Sequence, residues 1–207
     1  MNLHKVIKSI IRSIFTRLAA FLNKIFRGKI TPNMVTVVGL LAHLPIVFLL
    51  FDGRLVLGGV MIIIFGLFDT LDGALARVQN VASTKGMFLD ALSDRLKEVL
   101  ILTGLSGYFL EINNDLGVIL CILTLGISMS VSYAKAKGEA AIVVSKYKIS
   151  HDELNRFFED GLGAYEIRIF LIALGCLFGY PSIFLSIILL LASYTLLLRT
   201  IKIMKAL

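Results

Sequence analysis

The chain alternates long apolar runs with short charged breaks. Met34 to Phe51 is apolar almost throughout and stops at Asp52-Gly53-Arg54, and Leu55 to about Arg77 follows. After a short polar link, Met87 to Leu110 reaches the acidic turn Glu111-Ile112-Asn113-Asn114-Asp115, and Leu116 to about Ala134 makes a fourth run. Ile167 to Phe178 with its flanks, and Pro181 to about Leu198, complete the set. A bilayer-spanning helix needs about 20 predominantly apolar residues, so the pattern predicts an all-α integral membrane fold with six transmembrane helices. Ahead of them, Leu3, Val6, Ile7, Ile10, Ile11, Ile14, Phe15, Leu18, Phe21, Leu22 and Ile25 recur at helical spacing, with basic residues on the other face. Charges recur too often there for a signal-peptide core, and no small-residue cleavage site follows. The expectation is an amphipathic juxtamembrane helix lying on an anionic leaflet. Residues 1–30 then form an interfacial helix, and residues 31–207 one six-helix transmembrane domain.

Composition agrees. With 57% hydrophobic residues among 207 and a mean hydropathy of +0.89, the chain is too apolar for a soluble domain. Its net charge of +7 is distributed as a topology signal. Lys5, Lys8, Arg12, Arg17, Lys24, Arg27 and Lys29 precede the first span without an acid among them. Arg77, Lys85, Lys135, Lys137, Arg199, Lys202 and Lys205 fall on the same side, whereas the opposite turns offer Arg54 against Asp52, Glu111 and Asp115. Both termini are therefore expected on the cytoplasmic face of the cell membrane, and the basic balance is not read as nucleic-acid binding. Cys121 and Cys176 lie inside predicted spans at no ligand-like spacing and read as apolar filler; His4, His43 and His151 each stand alone. The stretch from about Gly138 to Ala164, with Lys146, Lys148, Asp152, Glu153, Arg156, Glu159 and Asp160, is expected to be a linker or lid.

The chemistry sits in four aspartates. Asp69, Asp72, Asp90 and Asp94 interrupt otherwise lipid-soluble helix, and a carboxylate at membrane depth is expensive unless it meets a partner. Asp69 and Asp72 lie a turn apart on one face, with Gly73 and Ala76 on the same stripe. On the following helix Gly86, Asp90 and Asp94 repeat a spacing of four, so the two acidic faces of this hairpin can converge toward its cytoplasmic end. Four converging carboxylates repel one another, and divalent cations resolve the conflict. An all-oxygen set without His or Cys selects Mg²⁺ or Mn²⁺, and two ions about 3.5–4 Å apart would suit phosphoryl displacement. The expected substrate carries a diphosphate. An intramembrane cation transporter is the alternative of a different class.

Asp69, Asp72, Gly73, Ala76, Arg77, Gly86, Asp90 and Asp94, in this order and spacing, resemble the signature of the CDP-alcohol phosphatidyltransferases. Thr31-Pro32-Asn33 with Thr36 looks like the segment that opens that family's first span. The resemblance implies a hydroxyl of a small polar alcohol attacking the β-phosphoryl of a CDP-linked lipid, CDP-diacylglycerol or CDP-archaeol, with release of CMP. It also implies a homodimer and an active site on the cytoplasmic side. Carried over by position, Asp69, Asp72 and Asp90 would hold the metals, and Asp94 would complete that site and act as general base. Asn33, Thr36, Asp72, Gly73, Ala76, Arg77 and Gly86 would bind the CDP-lipid. Arg77 offers the diphosphate a fork of donors, and the glycines and alanine leave room for the nucleotide.

Ser132-Tyr133-Ala134-Lys135-Ala136-Lys137-Gly138-Glu139 and Asp94-Arg95 resemble the phosphatidylinositol-phosphate and archaetidylinositol-phosphate synthase branch. The resemblance assigns the acceptor's phosphate to Lys135, Lys137 and Arg168. The branch often carries an Arg-Pro-Glu-Arg run where this chain has Tyr165-Glu166-Ile167-Arg168. A phosphorylated polyol is the expected acceptor, inositol phosphate first, with glycerol 3-phosphate, as in phosphatidylglycerophosphate synthases, the alternative.

Overall fold

The computed structural model describes residues 3–145 and 163–207, with side chains from residue 12 onward. His151 and the charged residues from Lys146 to Asp160 lie outside the described residues, as does the side chain of His4. The described residues form eight helices: α1 (Leu3–Ile25), α2 (Pro32–Leu41), α3 (His43–Phe51), α4 (Leu55–Val78), α5 (Thr84–Glu111), α6 (Asp115–Ser145), α7 (Tyr165–Leu177) and α8 (Pro181–Ala206). Caps and turns place their ends. Thr31 accepts the Met34 amide at 3.3 Å ahead of Pro32, and Ser83 accepts the Gly86 amide at 3.2 Å. Gly53 and Gly179, at φ +72° and +74°, terminate α3 and α7 in the left-handed region.

The first predicted run is two helices. Pro45 lacks an amide hydrogen, and its ring crowds the carbonyl four residues back, at Leu41, where α2 ends. His43 sits in the break, buried, and its Nδ1 lies 2.7 Å from the Gly39 carbonyl. The fourth run extends further than its apolar stretch suggests. α6 continues through Gly138 to Ser145, so the first part of the expected linker is helical. Lys135 and Glu139 pair across one turn at 3.8 Å, and Ile142 is buried.

The protein is an all-helical membrane protein. Four helical stretches, Pro32–Phe51, Leu55–Val78, Asp115–Ser145 and Pro181–Ala206, are long and apolar enough to cross a bilayer. α5 has the length, 28 residues, but carries Asp90, Asp94, Arg95, Lys97 and Glu98; α7, at 13 residues, is short. Large apolar side chains such as Phe48, Leu116 and Leu190 point outward, as expected where the solvent is hydrocarbon.

Inside, α5 packs against α3 and α6, α4 against α1, α2 and α7, and α8 against α6 and α7. The core runs through Ile46, Leu50, Ile62, Ile101, Leu105, Ile172 and Ile188, and includes Cys121 and Cys176, both buried free thiols. Helix backbones approach closely at glycine. A Cβ on Gly59 would stand 2.9 Å from the Ala173 carbonyl oxygen, and one on Gly104 at 2.9 Å from that of Val47. This closeness lets α7 lie directly on α4 and forms one wall of the site. A second cluster joins Phe15 and Ala19 of α1 to Ala74 and Leu75 of α4, and Gln79 Nε2 donates to Asn23 Oδ1 and to the Ile30 carbonyl, both at 2.8 Å. α1 is thereby docked beside the acidic end of α4.

Candidate active site

The antiparallel hairpin of α4 and α5 brings the acidic stripes face to face. One carboxylate oxygen from each of Asp69, Asp72 and Asp90 lies within 4.8 Å of the other two. Asp72 is buried and accepts a 2.5 Å hydrogen bond from Thr36 Oγ1, which fixes one of its oxygens from α2. Asp94 stands outside this triad. Its Oδ2 is 3.7 Å from Arg95 Nη2 and its Oδ1 4.0 Å from Lys97 Nζ. That Oδ1 is buried without a hydrogen-bond partner. The expected four-carboxylate cluster is thus three gathered oxygens and a fourth carboxylate alongside.

A cleft of about 370 Å³ opens onto Asp69, Asp90 and Asp94. Its polar end is completed by Thr70, Tyr165 and Glu166, and its far end by apolar residues of α4 and α7, among them Ile62, Leu67, Ile169 and Phe170. Such a cavity suits a ligand with a charged head and a hydrocarbon body. At the other side of the triad, a Cβ on Gly73 would lie 3.5 Å from Arg77 Nη1, so the exposed Arg77 folds back over the glycine. A Cβ on Gly86 would lie 3.5 Å from Asn33 Oδ1, which brings the start of α5 to the start of α2. Asn33, Thr36, Gly73, Ala76, Arg77 and Gly86 thus surround the same end of the hairpin.

Of the cations expected to meet the acceptor, Arg168 already has a partner. Arg168 is buried and committed: Nε and Nη2 donate to the two Glu98 oxygens at 2.7 Å each, and Nη1 donates to the Gly163 carbonyl. The Gly163 amide in turn donates to Thr195 Oγ1 at 2.9 Å. Arg168 therefore ties α7 to α5; on α6, Lys135 lies beside Glu139 and Lys137 over the Tyr133 ring, 5.9 Å from its centroid. Arg95 links three helices: its guanidinium donates to Ser132 of α6 and lies 4.7 Å from the centroid of the Tyr165 ring on α7.

Sequence reasoning passed over Lys97 and Glu98. Lys97 is fully buried, and its Nζ donates to an Asp69 oxygen. A usable signal existed: two charges following Asp94 by three and four residues share its helix face, and charges inside a span require named partners. The Glu98–Arg168 pair also yields a prediction. Glu98→Ala leaves a buried guanidinium uncompensated and should lower stability by about 3–5 kcal/mol, read by denaturant or thermal unfolding in detergent micelles.

The donor set fits a hard divalent cation: three carboxylates converge on one point, with a fourth carboxylate oxygen buried and unsatisfied nearby. The fold and site together define an all-helical membrane protein with an acidic, hard-cation centre in one hairpin of its bundle. The sequence model of the family "CDP-alcohol phosphatidyltransferase" matches residues 29–198, and the chain belongs to that family.

Among relatives, a phosphatidylinositol phosphate synthase of Mycobacterium bovis is 32% identical over 136 residues, covering 63% of this chain and 61% of that protein. An uncharacterised protein of Aquifex aeolicus is 35% identical over 117 residues, covering 56% of this chain and 60% of the other. The matched region thus spans about three fifths of the length of these curated relatives. Among solved structures, Mycobacterium tuberculosis phosphatidylinositol phosphate synthase in complex with manganese and citrate superposes with a TM-score of 0.75 at 25% identity, over 91% of this chain and 88% of that one. The same enzyme with CDP-DAG bound gives a TM-score of 0.76 at 24% identity, over 92% and 94%, and shares the fold.

Proposed function

We propose that this protein transfers a phosphatidyl-type group from a CDP-linked lipid, CDP-diacylglycerol or CDP-archaeol, to a small phosphorylated polyol, releasing CMP. Inositol phosphate is the favoured acceptor and glycerol 3-phosphate the second. The observation that carries this reading is the cleft itself, with converging carboxylates at one end and an apolar wall of α4 and α7 at the other. The names of the relatives support the acceptor.

Asp69, Asp72 and Asp90 would hold Mg²⁺ or Mn²⁺, two ions in the fullest arrangement, with Thr36 orienting Asp72. Bound there, the metal supplies Lewis-acid neutralisation of the diphosphate. Arg77, folded over Gly73, meets the diphosphate from the exposed side, while Asn33, Ala76 and Gly86 shape the space for the nucleotide. Asp94, which lines the cleft beside the triad, takes the proton of the incoming hydroxyl. Lys135 and Lys137, one turn and more beyond Ser132 on α6, remain for the acceptor's phosphate. Arg168 reaches that phosphate only by giving up Glu98, so we assign it to holding α7 in place.

In this reading α5 and α7 complete six spans with the four longer apolar stretches. α1 lies along the cytoplasmic surface with Phe21 and Ile25 exposed toward lipid. Both termini and the active site face the cytoplasm, following the basic residues, and the chain works as a homodimer.

Membranes carrying the protein, supplied with Mg²⁺ and CDP-diacylglycerol, should incorporate radiolabelled inositol phosphate into lipid and release CMP. Incorporation of free inositol or serine alone would contradict the phosphorylated acceptor. A protein that moved cations and released no CMP would be a transporter instead.

A further inference from the structure

We propose that Lys97 is a built-in cation of the aspartate centre: it holds Asp69 in the metal-free protein and hands it over when a dication binds. The bound metal is consequently held more weakly than the carboxylates alone would hold it. The inference rests on reading Asp69, Asp72 and Asp90 as a dication site.

Lys97 lies on the same stripe of α5 as Asp90 and Asp94, about two turns and one turn beyond them. Its side chain is fully buried, so its ammonium has no water to donate to. It donates to Asp69, one member of the gathered triad. Lys97 takes one acceptor position on Asp69, and a positive charge beside a dication opposes its binding. The second acceptor is already in position. Asp94 Oδ1 is 4.0 Å from the same Nζ, buried, and without a hydrogen bond. A small side-chain rotation exchanges Asp69 for Asp94, so the ammonium remains paired in both states and both Asp69 oxygens are open to the metal. Arg95 cannot substitute, because it is engaged with Ser132 and the Tyr165 ring.

The test is Mn²⁺ binding by the full chain in detergent micelles, followed by paramagnetic resonance, together with thermal unfolding with and without Mn²⁺. Lys97→Met should bind Mn²⁺ about tenfold more tightly than the natural protein, melt at a lower temperature without metal, and recover that loss when Mn²⁺ is added. Loss of packing alone would loosen the site, so tightening separates a charge role from a structural one. Unchanged or weaker binding in the variant overturns the proposal. Failure of the natural protein to bind Mn²⁺ at all overturns the dication reading and this inference with it. If the variant does not fold, a structure of the natural protein with Mn²⁺ decides: Nζ should have left Asp69 for Asp94, and Nζ still on Asp69 beside a seated Mn²⁺ would overturn the proposal.

Discussion

Asp94→Asn should lower turnover by about 10²–10⁴-fold while leaving CDP-lipid binding largely in place. Asparagine keeps the size of the side chain but cannot take up a proton as a carboxylate does. Asp94 is the carboxylate best placed to act as base, because it borders the cleft yet is not among the three whose oxygens converge. CMP release measured alongside CDP-lipid affinity separates the two effects. Turnover retained in the variant would remove Asp94 from the base role, and loss of lipid binding in step with turnover would make it a ligand of the donor.

The convergence of the aspartates was legible because its determinants are local. Asp69 and Asp72, and Asp90 and Asp94, fall on single helix faces by spacing, and a short link forces the two helices into a hairpin. What spacing could not give was side-chain direction. It grouped Asp94 with the other three, whereas the fold turns it toward Arg95 and Lys97. The pairing of Arg168 was hidden for a different reason. Its partner Glu98 is 70 residues away, and a basic residue at the head of a helix looks the same in sequence whether it waits for a ligand or is already paired.

The fold shows the same division. Apolar runs marked the spans, but Pro45 broke the first of them into α2 and α3, a proline effect that hydropathy does not register. Hydropathy also ended α6 too early, since alanine, lysine and glutamate continue a helix without lengthening an apolar run. Lys97 and Glu98 were overlooked inside a segment read as a span. Buried charges of both signs at that depth were the remaining clue.

Metal removal bears on every part of the proposed chemistry. Bare, Asp69, Asp72 and Asp90 crowd negative charge against the place proposed for the diphosphate, and Lys97 offsets only part of it. Without a dication the donor lipid is repelled and its leaving group is unassisted, so the loss should reach the limit of detection. The decisive measurement is therefore CMP release from CDP-diacylglycerol by the purified chain, first stripped of divalent ions with a chelator and then resupplied. Activity should vanish on stripping and return with Mg²⁺ or Mn²⁺. Undiminished CMP release from the stripped protein would contradict the assignment of the α4–α5 aspartates as a metal centre.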